Sequence, residues 1–361
     1  MKILRVINTL KMGGAERSIE TNVPVHISRG YKMDILLLNG NNTPFYENLK
    51  EQGVQIYYTS KKMSVYNPLH IIKIISYLRK YDIIHVHLFP ALYWVAFAKM
   101  LSFNKVKLIY TEHSTLNKRR GIALFRYLER LVYKQYEKII SISDATTSNL
   151  TEHLDPSFDI VTIYNGVNLK PFLDNSFKSG NIRKTLKIPQ EAFVLTQIAS
   201  FREQKDQDTV IKALSVLPFN FHLIFVGDGE RKKKCESLAE ELSVENRVHF
   251  LGCRTDIPEI VHNSDVIIMS SNYEGFGRAA VEGMAGQKPV IASDVPGLRD
   301  IVFEAGLLFK VGDYITLSTI INNLYSNEEL YKKTAYNCFE RAKQYDAMRM
   351  IEQYEEIYNL V

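Results

Sequence analysis

Short apolar runs bounded by turn residues alternate with segments of helical period along the whole chain. Strands are predicted at residues 3–7, 33–38, 54–58, 83–88, 106–110, 138–142 and 160–164, and again at 193–199, 222–226, 247–251, 266–269 and 289–292, with helices between them. Such alternation is the signature of a doubly wound α/β sheet, and here it occurs twice. Between the two sets, residues 168–190 are polar, contain Pro171 and Pro189, and show only one short helix candidate at 181–186, so the linker is expected there. Beyond Asp313 the pattern is helical to the end, with breaks near Asn327 and Asp346.

The chain has 361 residues, 46% hydrophobic and 24% charged, more apolar material than a single core takes up. At ~100 to 200 residues per domain, two domains are expected. Ordinary Gly and Pro counts with 21 Tyr and 18 Phe exclude disordered, collagenous and disulfide-scaffold classes. Arg5 interrupts the first apolar run, so no export signal is expected, and the longest apolar stretch, 88–98, falls short of the ~18 to 20 residues of a membrane span. Cys235, Cys253 and Cys338 are odd in number and form no CxxC pair, which fits reduced thiols in the cytoplasm and argues against zinc.

Charge is divided unevenly. Residues 1–175 hold 23 Lys+Arg against 14 Asp+Glu, giving +9, and residues 176–361 hold 22 against 26, giving −4. A basic first half suggests a polyanionic partner. No zinc-finger spacing or nucleic-acid motif is present, so an anionic membrane surface is expected rather than nucleic acid. The densest basic stretch, 117–138, includes Lys118, Arg119, Arg120, Arg126, Arg130, Lys134 and Lys138. Arg126, Arg130 and Lys134 form an i, i+4 stripe beside apolar Phe125, Leu128, Leu131 and Val132, with Tyr127 or Tyr133 placed for a headgroup boundary. A solvated helix face explains the stripe about as well.

Three segments carry candidate chemistry. Met12-Gly13-Gly14-Ala15-Glu16-Arg17 follows the first strand and opens a helix, where glycines let backbone N–H groups approach an anion; a plain tight turn is an equal alternative. Val226-Gly227-Asp228-Gly229 repeats the arrangement, but Lys232 stands where a dinucleotide fingerprint requires its third glycine, which removes the main support for hydride transfer. The most informative segment runs from Ser270 to Ala285, a strand end, a loop with Glu274, Gly275 and Gly277, and a helix with Glu282 about one turn inside. Ionised carboxylates accept strongly from sugar hydroxyls, so two of them beside a glycine loop suit a polyhydroxylated ligand. A capping Glu and a surface Glu are the bland alternative. His85 and His87, two apart on a strand, are expected on opposite faces, one in the core and one in a cleft, and not to bind a metal. Glu112 is either a cleft carboxylate or structural.

Glu274 and Glu282 bracket seven residues, and with Gly275-Phe276-Gly277 and Pro289-Val290-Ile291-Ala292-Ser293-Asp294 they resemble the EX7E segment of the retaining glycosyltransferases of family 4. The resemblance extends to Gly13-Gly14-Ala15-Glu16-Arg17, Asn165-Gly166-Val167-Asn168, Val226-Gly227-Asp228-Gly229, Phe250-Leu251-Gly252 with Asp256-Ile257-Pro258, and Gly306-Leu307-Leu308 with Gly312-Asp313. It implies a GT-B fold, two Rossmann-like domains facing a cleft. It further implies that residues 1–170 form an acceptor domain, joined by a final helix at 346–361 that crosses back, and that residues 171–345 form a nucleotide-sugar domain. The resemblance makes Glu282 the ribose ligand, gives Glu274 with the Phe276 and Gly277 amides the donor sugar, and pairs Lys205 with the diphosphate. Ser200 stands where the family carries Arg, and Arg202 is the candidate replacement. The resemblance also implies donor contacts at Gly13, Gly14, Gly227 and Arg254, and a contact from His113 to a sugar hydroxyl, with base catalysis not expected of it.

The expected activity is metal-independent retaining transfer from a UDP-sugar to a glycan or a polyprenyl-diphosphate-linked acceptor, at the cytoplasmic face of the membrane, with no cofactor. The alternatives are a GT-B epimerase or phosphorylase, and a non-catalytic sugar-nucleotide binding module.

Overall fold

The structure, a computed structural model, describes residues 1–11, 13–114, 123–154, 158–174 and 182–361, with backbone only for Ala123, Leu124 and Arg126. Met12, Lys118, Arg119 and Arg120, and the side chain of Arg126, therefore lie outside the described residues. The chain divides into two units, Met1–Gly166 with Ala347–Val361, and Val167–Asp346. The division falls just before the polar stretch in which a linker is expected, because Val167 N–H donates to Tyr345 O and so already belongs to the second unit.

The first unit contains β1 (Lys2–Ile7), β2 (Lys32–Asn39), β3 (Ile56–Ser60), β4 (Ile83–His87), β5 (Lys107–Glu112), β6 (Lys138–Ser141) and β7 (Ile160–Thr162). They form one sheet in the order β3-β2-β1-β4-β5-β6-β7, with every pair parallel. The second unit contains β8 (Phe193–Ile198), β9 (Phe221–Val226), β10 (Val248–Phe250), β11 (Val266–Met269), β12 (Val290–Ser293) and β13 (Leu307–Phe309), in the order β10-β9-β8-β11-β12-β13, again parallel. Every expected strand is present. β13 is an addition: three residues inside a loop segment offer too short a run for periodicity to mark.

Parallel strands need helical crossovers that cover both faces, which is why the strands are apolar almost throughout. Successive residues on β1 serve opposite layers. Leu4 and Val6 enter the core shared with Leu36, Ile84, Val86 and Leu108. Ile3 and Ile7 enter the other, with Ile35, Leu37, Ile109 and, from the final helix Ala347–Leu360, Met350, Tyr354, Ile357 and Tyr358. That helix thus completes the first unit. In the second unit, Leu195, Phe225, Ile268 and Ile291 join Phe201, Val210, Leu317 and Ile321.

Tyr354 is fully buried in this layer. Replacing it by Ala removes a large aromatic from a close-packed core, so Tyr354→Ala is expected to cost ~3 to 5 kcal/mol in urea unfolding followed by a first-unit probe. A cost below ~1 kcal/mol would show that the helix is not part of that core.

Candidate functional site

In the second sheet the strand order reverses between β8 and β11. Crossovers leave these neighbours in opposite directions, so a crevice opens beyond their carboxyl ends. The loops after these two strands are tied together across it. Asn272 N–H donates to Gln204 O at 2.7 Å, Asn272 Nδ2 to Glu203 O at 2.9 Å, and Gln204 Nε2 to Tyr273 O at 2.9 Å. Beneath them the buried Ser270 hydroxyl reaches Lys205 O and Asp206 O at 3.0 and 2.8 Å, and Gln197 Nε2 reaches Lys205 O at 2.8 Å.

This stitching brings two predicted residues together. Lys205 Nζ is paired with Glu274 Oε2, with only 16% and 15% of the two side chains exposed. Gly275 N–H donates to the other Glu274 oxygen at 3.1 Å. The loop then turns through Gly277, at φ +84°, into the helix Arg278–Ala285. Phe276 is buried, its ring edge-on to Tyr345 at 5.4 Å. Glu282, 9% exposed, sits one turn inside the helix and accepts from Arg278 Nε at 3.1 Å.

Two supports of this loop are not apparent from the sequence alone. Gly297 has φ +85°, and a Cβ there would stand 2.4 Å from Glu274 O, so only glycine lets the β12 loop approach so closely. Ser293 Oγ donates to Ser271 O at 2.5 Å from the same side. The signal available was the Pro-Gly pair at 296–297 after a strand, which marks a turn but not its neighbour.

The remaining candidates have other surroundings. Gly227, at φ +138°, packs so near Ala199 O that a Cβ would come within 2.1 Å, and its N–H donates to Gly252 O at 2.8 Å. Close approach of two loops therefore accounts for this glycine. Arg202 is exposed ahead of the short 3-10 turn Glu203–Lys205. Arg254 pairs with Asp256, Nε to Oδ1 at 2.8 Å, and that guanidinium holds the Asp256 carboxyl below the usual range. In the first unit Gly13 caps the helix Gly14–Ser28, and the Glu16 carboxylate lies so close that a Cβ at Gly13 would meet it. Burial raises the Glu16 carboxyl to about 6.

His113 follows β5, and its Nε2 lies 3.0 Å from His87 Nδ1, while His87 Nε2 lies 3.0 Å from Arg5 NH1. His85 and His87 do not face opposite ways. Strand side chains repeat every two residues, so positions i and i+2 share a face, and the two rings stack at 4.4 Å. Both are buried, so neither is a cleft residue. Among the described residues no group of three or more His, Cys, Asp or Glu is arranged to hold a metal. Glu112 is buried and accepts from Ser114 N–H at 3.1 Å.

On the helix Ala123–Tyr133, Tyr127 and Leu131 are exposed, as are Arg130 and the following Lys134. Val132 and Tyr133 are buried, and Leu128 packs on the core, so most of the expected apolar stripe faces inward and Tyr133 is not at the surface. Among the described residues no helix is long and apolar enough to cross a membrane.

Two family profiles match in succession, Glycosyltransferase Family 4 over residues 12–170 and Glycosyl transferases group 1 over residues 178–341. Among curated relatives, the N-acetyl-alpha-D-glucosaminyl L-malate synthase of Bacillus anthracis is 27% identical over 77% of this chain and 74% of its own length. The O-antigen biosynthesis glycosyltransferase WclY of Escherichia coli is 25% identical over 99% of this chain and 98% of its own. The crystal structure of Anabaena HepE in complex with UDP-glucose superposes with a TM-score of 0.88 at 25% identity, covering 100% of both chains. With both halves matched in order and both parallel sheets in place, the chain belongs to the family 4 glycosyltransferases and has their GT-B fold.

Proposed function

We propose that the protein transfers a sugar from a UDP-sugar to a saccharide or polyprenyl-diphosphate-linked acceptor, in assembly of a cell-surface polysaccharide or glycoconjugate. The observation that carries this reading is the Lys205–Glu274 pair held at the strand-order reversal of the second sheet, with Glu282 one turn inside the adjoining helix. The UDP-glucose complex of HepE supports the donor, and the name of WclY supports the polysaccharide setting.

In this reading Glu282 accepts from the ribose hydroxyls, while Glu274 and the Phe276 and Gly277 amides hold the sugar. Lys205 turns from Glu274 toward the diphosphate, whose developing charge it offsets as a point cation together with amides at the helix N-terminus. Arg202 is the second candidate cation there. Transfer breaks the anomeric C–O bond to the diphosphate and forms one to the acceptor oxygen on the same face, so configuration is retained. The acceptor proton passes to the departing phosphate oxygen. His113 supplies a hydrogen bond to the sugar rather than a base, and no metal is needed.

Attachment to an anionic membrane at the cytoplasmic face is part of the proposal. Its support is the +9 of residues 1–175 (23 minus 14) and the exposed Tyr127, Arg130, Leu131 and Lys134. Polybasic attraction of this kind is worth ~1 kcal/mol per residue near an anionic leaflet.

The donor roles predict a ranking in titration calorimetry with UDP. Glu282→Ala should weaken binding by roughly 1.5 to 3 kcal/mol, the worth of charged hydrogen bonds, whereas Glu274→Ala should leave UDP affinity nearly unchanged and lower turnover. The opposite ranking means the roles are exchanged. Transfer should persist in excess EDTA with an α product from an α-linked donor, read by NMR; activity lost in EDTA and restored by Mg²⁺ or Mn²⁺ would replace the electrostatic account with a metal one. In co-sedimentation, the Arg126, Arg130, Lys134→Glu triple variant should leave anionic vesicles, with wild-type binding weakening as salt shortens the ~8 to 10 Å Debye length. Equal pelleting of both proteins would reduce the stripe to a solvated helix face.

A further inference from the structure

Arg5, which interrupts the apolar run of β1, is 1% exposed, and no carboxylate is paired with it among the described residues. It lies on the layer of Ile3 and Ile7, beneath the final helix, with its guanidinium carbon 5.1 and 5.6 Å from the ring centroids of Tyr354 and Tyr358. Burying an unpaired cation is costly, and ring faces offset only part of that cost. Of the polar atoms around it, His87 Nε2 takes its NH1 at 3.0 Å. The sheet sets this up: β1 and β4 are neighbours where the strand order reverses, Arg5 is in register with His85, and His87 is the next residue on the same face.

Guanidinium has donors and no acceptor, and a neutral imidazole has one of each. His87 Nε2 therefore carries the lone pair, and its proton sits on Nδ1. That proton points at His113 Nε2, 3.0 Å away. His113 Nε2 is then an acceptor in turn, and its proton sits on Nδ1, an atom that is buried and has no hydrogen-bond partner among the described residues. We infer that Arg5 and His87 are positioning residues that lock His113 in its Nδ1–H form, a permanent hydrogen-bond donor to a ligand oxygen. The direction of every bond is dictated by the one group that cannot accept.

Protonation of either ring would set two N–H groups against each other or an N–H against the guanidinium. Consistently, burial first and Arg5 second hold His87 well below the usual imidazole range and His113 at about 3. With its lone pair engaged by His87, His113 has no site at which to take a proton from an acceptor. The identity of the ligand oxygen, a hydroxyl of the transferred sugar, rests on the function proposed above; the lock itself does not.

The test separates the two. Long-range ¹H–¹⁵N correlation spectra of the ¹⁵N-histidine-labelled full-length protein without substrate report which ring nitrogen is protonated, with assignments from His87→Gln and His113→Asn. Nδ1–H is expected at both His87 and His113, although an unconstrained histidine in water favours Nε2–H. Nε2–H at His113 would overturn the proposal whatever the enzyme transfers. In His87→Gln the amide oxygen accepts from Arg5 and its NH₂ donates to His113, so the His113 signal should stay Nδ1–H and kcat should remain within about threefold. His87→Leu breaks the chain, so His113 should shift toward Nε2–H and kcat should fall about tenfold, the worth of one hydrogen bond, at unchanged UDP affinity. An Nδ1–H signal at His113 that survives in His87→Leu would also overturn it. Absence of transfer from any UDP-sugar, with the tautomers as stated, would sink the proposed function alone.

Discussion

The requirement that every strand pair in parallel governs the layout of both units. Parallel strands cannot be joined by hairpins, so each is succeeded by a crossover, and all the loops at the strands' carboxyl ends gather at one edge. Where the order reverses, between β1 and β4 and between β8 and β11, crossovers diverge and leave backbone and side chains facing a gap. The chemically unusual groups sit at these two places. At the second reversal are Lys205 and Glu274, on loops held together by Asn272, Gln204 and Ser270. At the first is the buried Arg5 with its histidines.

The two cations are handled differently. Lys205 keeps a carboxylate beside it and remains partly exposed, so it can change partners with modest desolvation cost. Arg5 is sealed under Tyr354 and Tyr358, with an imidazole in place of a counter-ion. A buried charge of this kind is weak evidence for stability and better evidence for orientation, because it dictates which way every neighbouring hydrogen bond runs. The final helix matters for the same reason. It closes the first unit's core and also supplies the rings that cover the guanidinium.

Much of the fold was legible in the sequence because buried parallel strands are short, near-continuous apolar runs, and the turn residues that bound runs such as 266–269 keep them too short for helices. β13 was not, since Leu307-Leu308-Phe309 is a strand only because β12 lies beside it. The candidates Glu274 and Glu282 stand out by their spacing around a glycine loop and Phe276 only through the family resemblance, but the Lys205 contact, the Gly297 approach and the Ser293 bond depend on which strands are neighbours, and spacing along the chain does not carry that. The two histidines of β4 were misread for a simpler reason: a period of two places His85 and His87 on one side, where their rings stack. The basic helix was legible in charge but not in rotation, since burial of Glu129 and Tyr133 fixes which stripe turns inward.

The central claim is that the stitched loops at the β8/β11 reversal receive the nucleotide sugar. Backbone hydrogen–deuterium exchange with and without saturating UDP tests it without assuming any acceptor. Slower exchange is expected at residues 199–206 and 270–279, where loop amides and the helix N-terminus would close on the ligand. Unchanged exchange in both segments, with UDP demonstrably bound, would place the donor elsewhere and contradict the account.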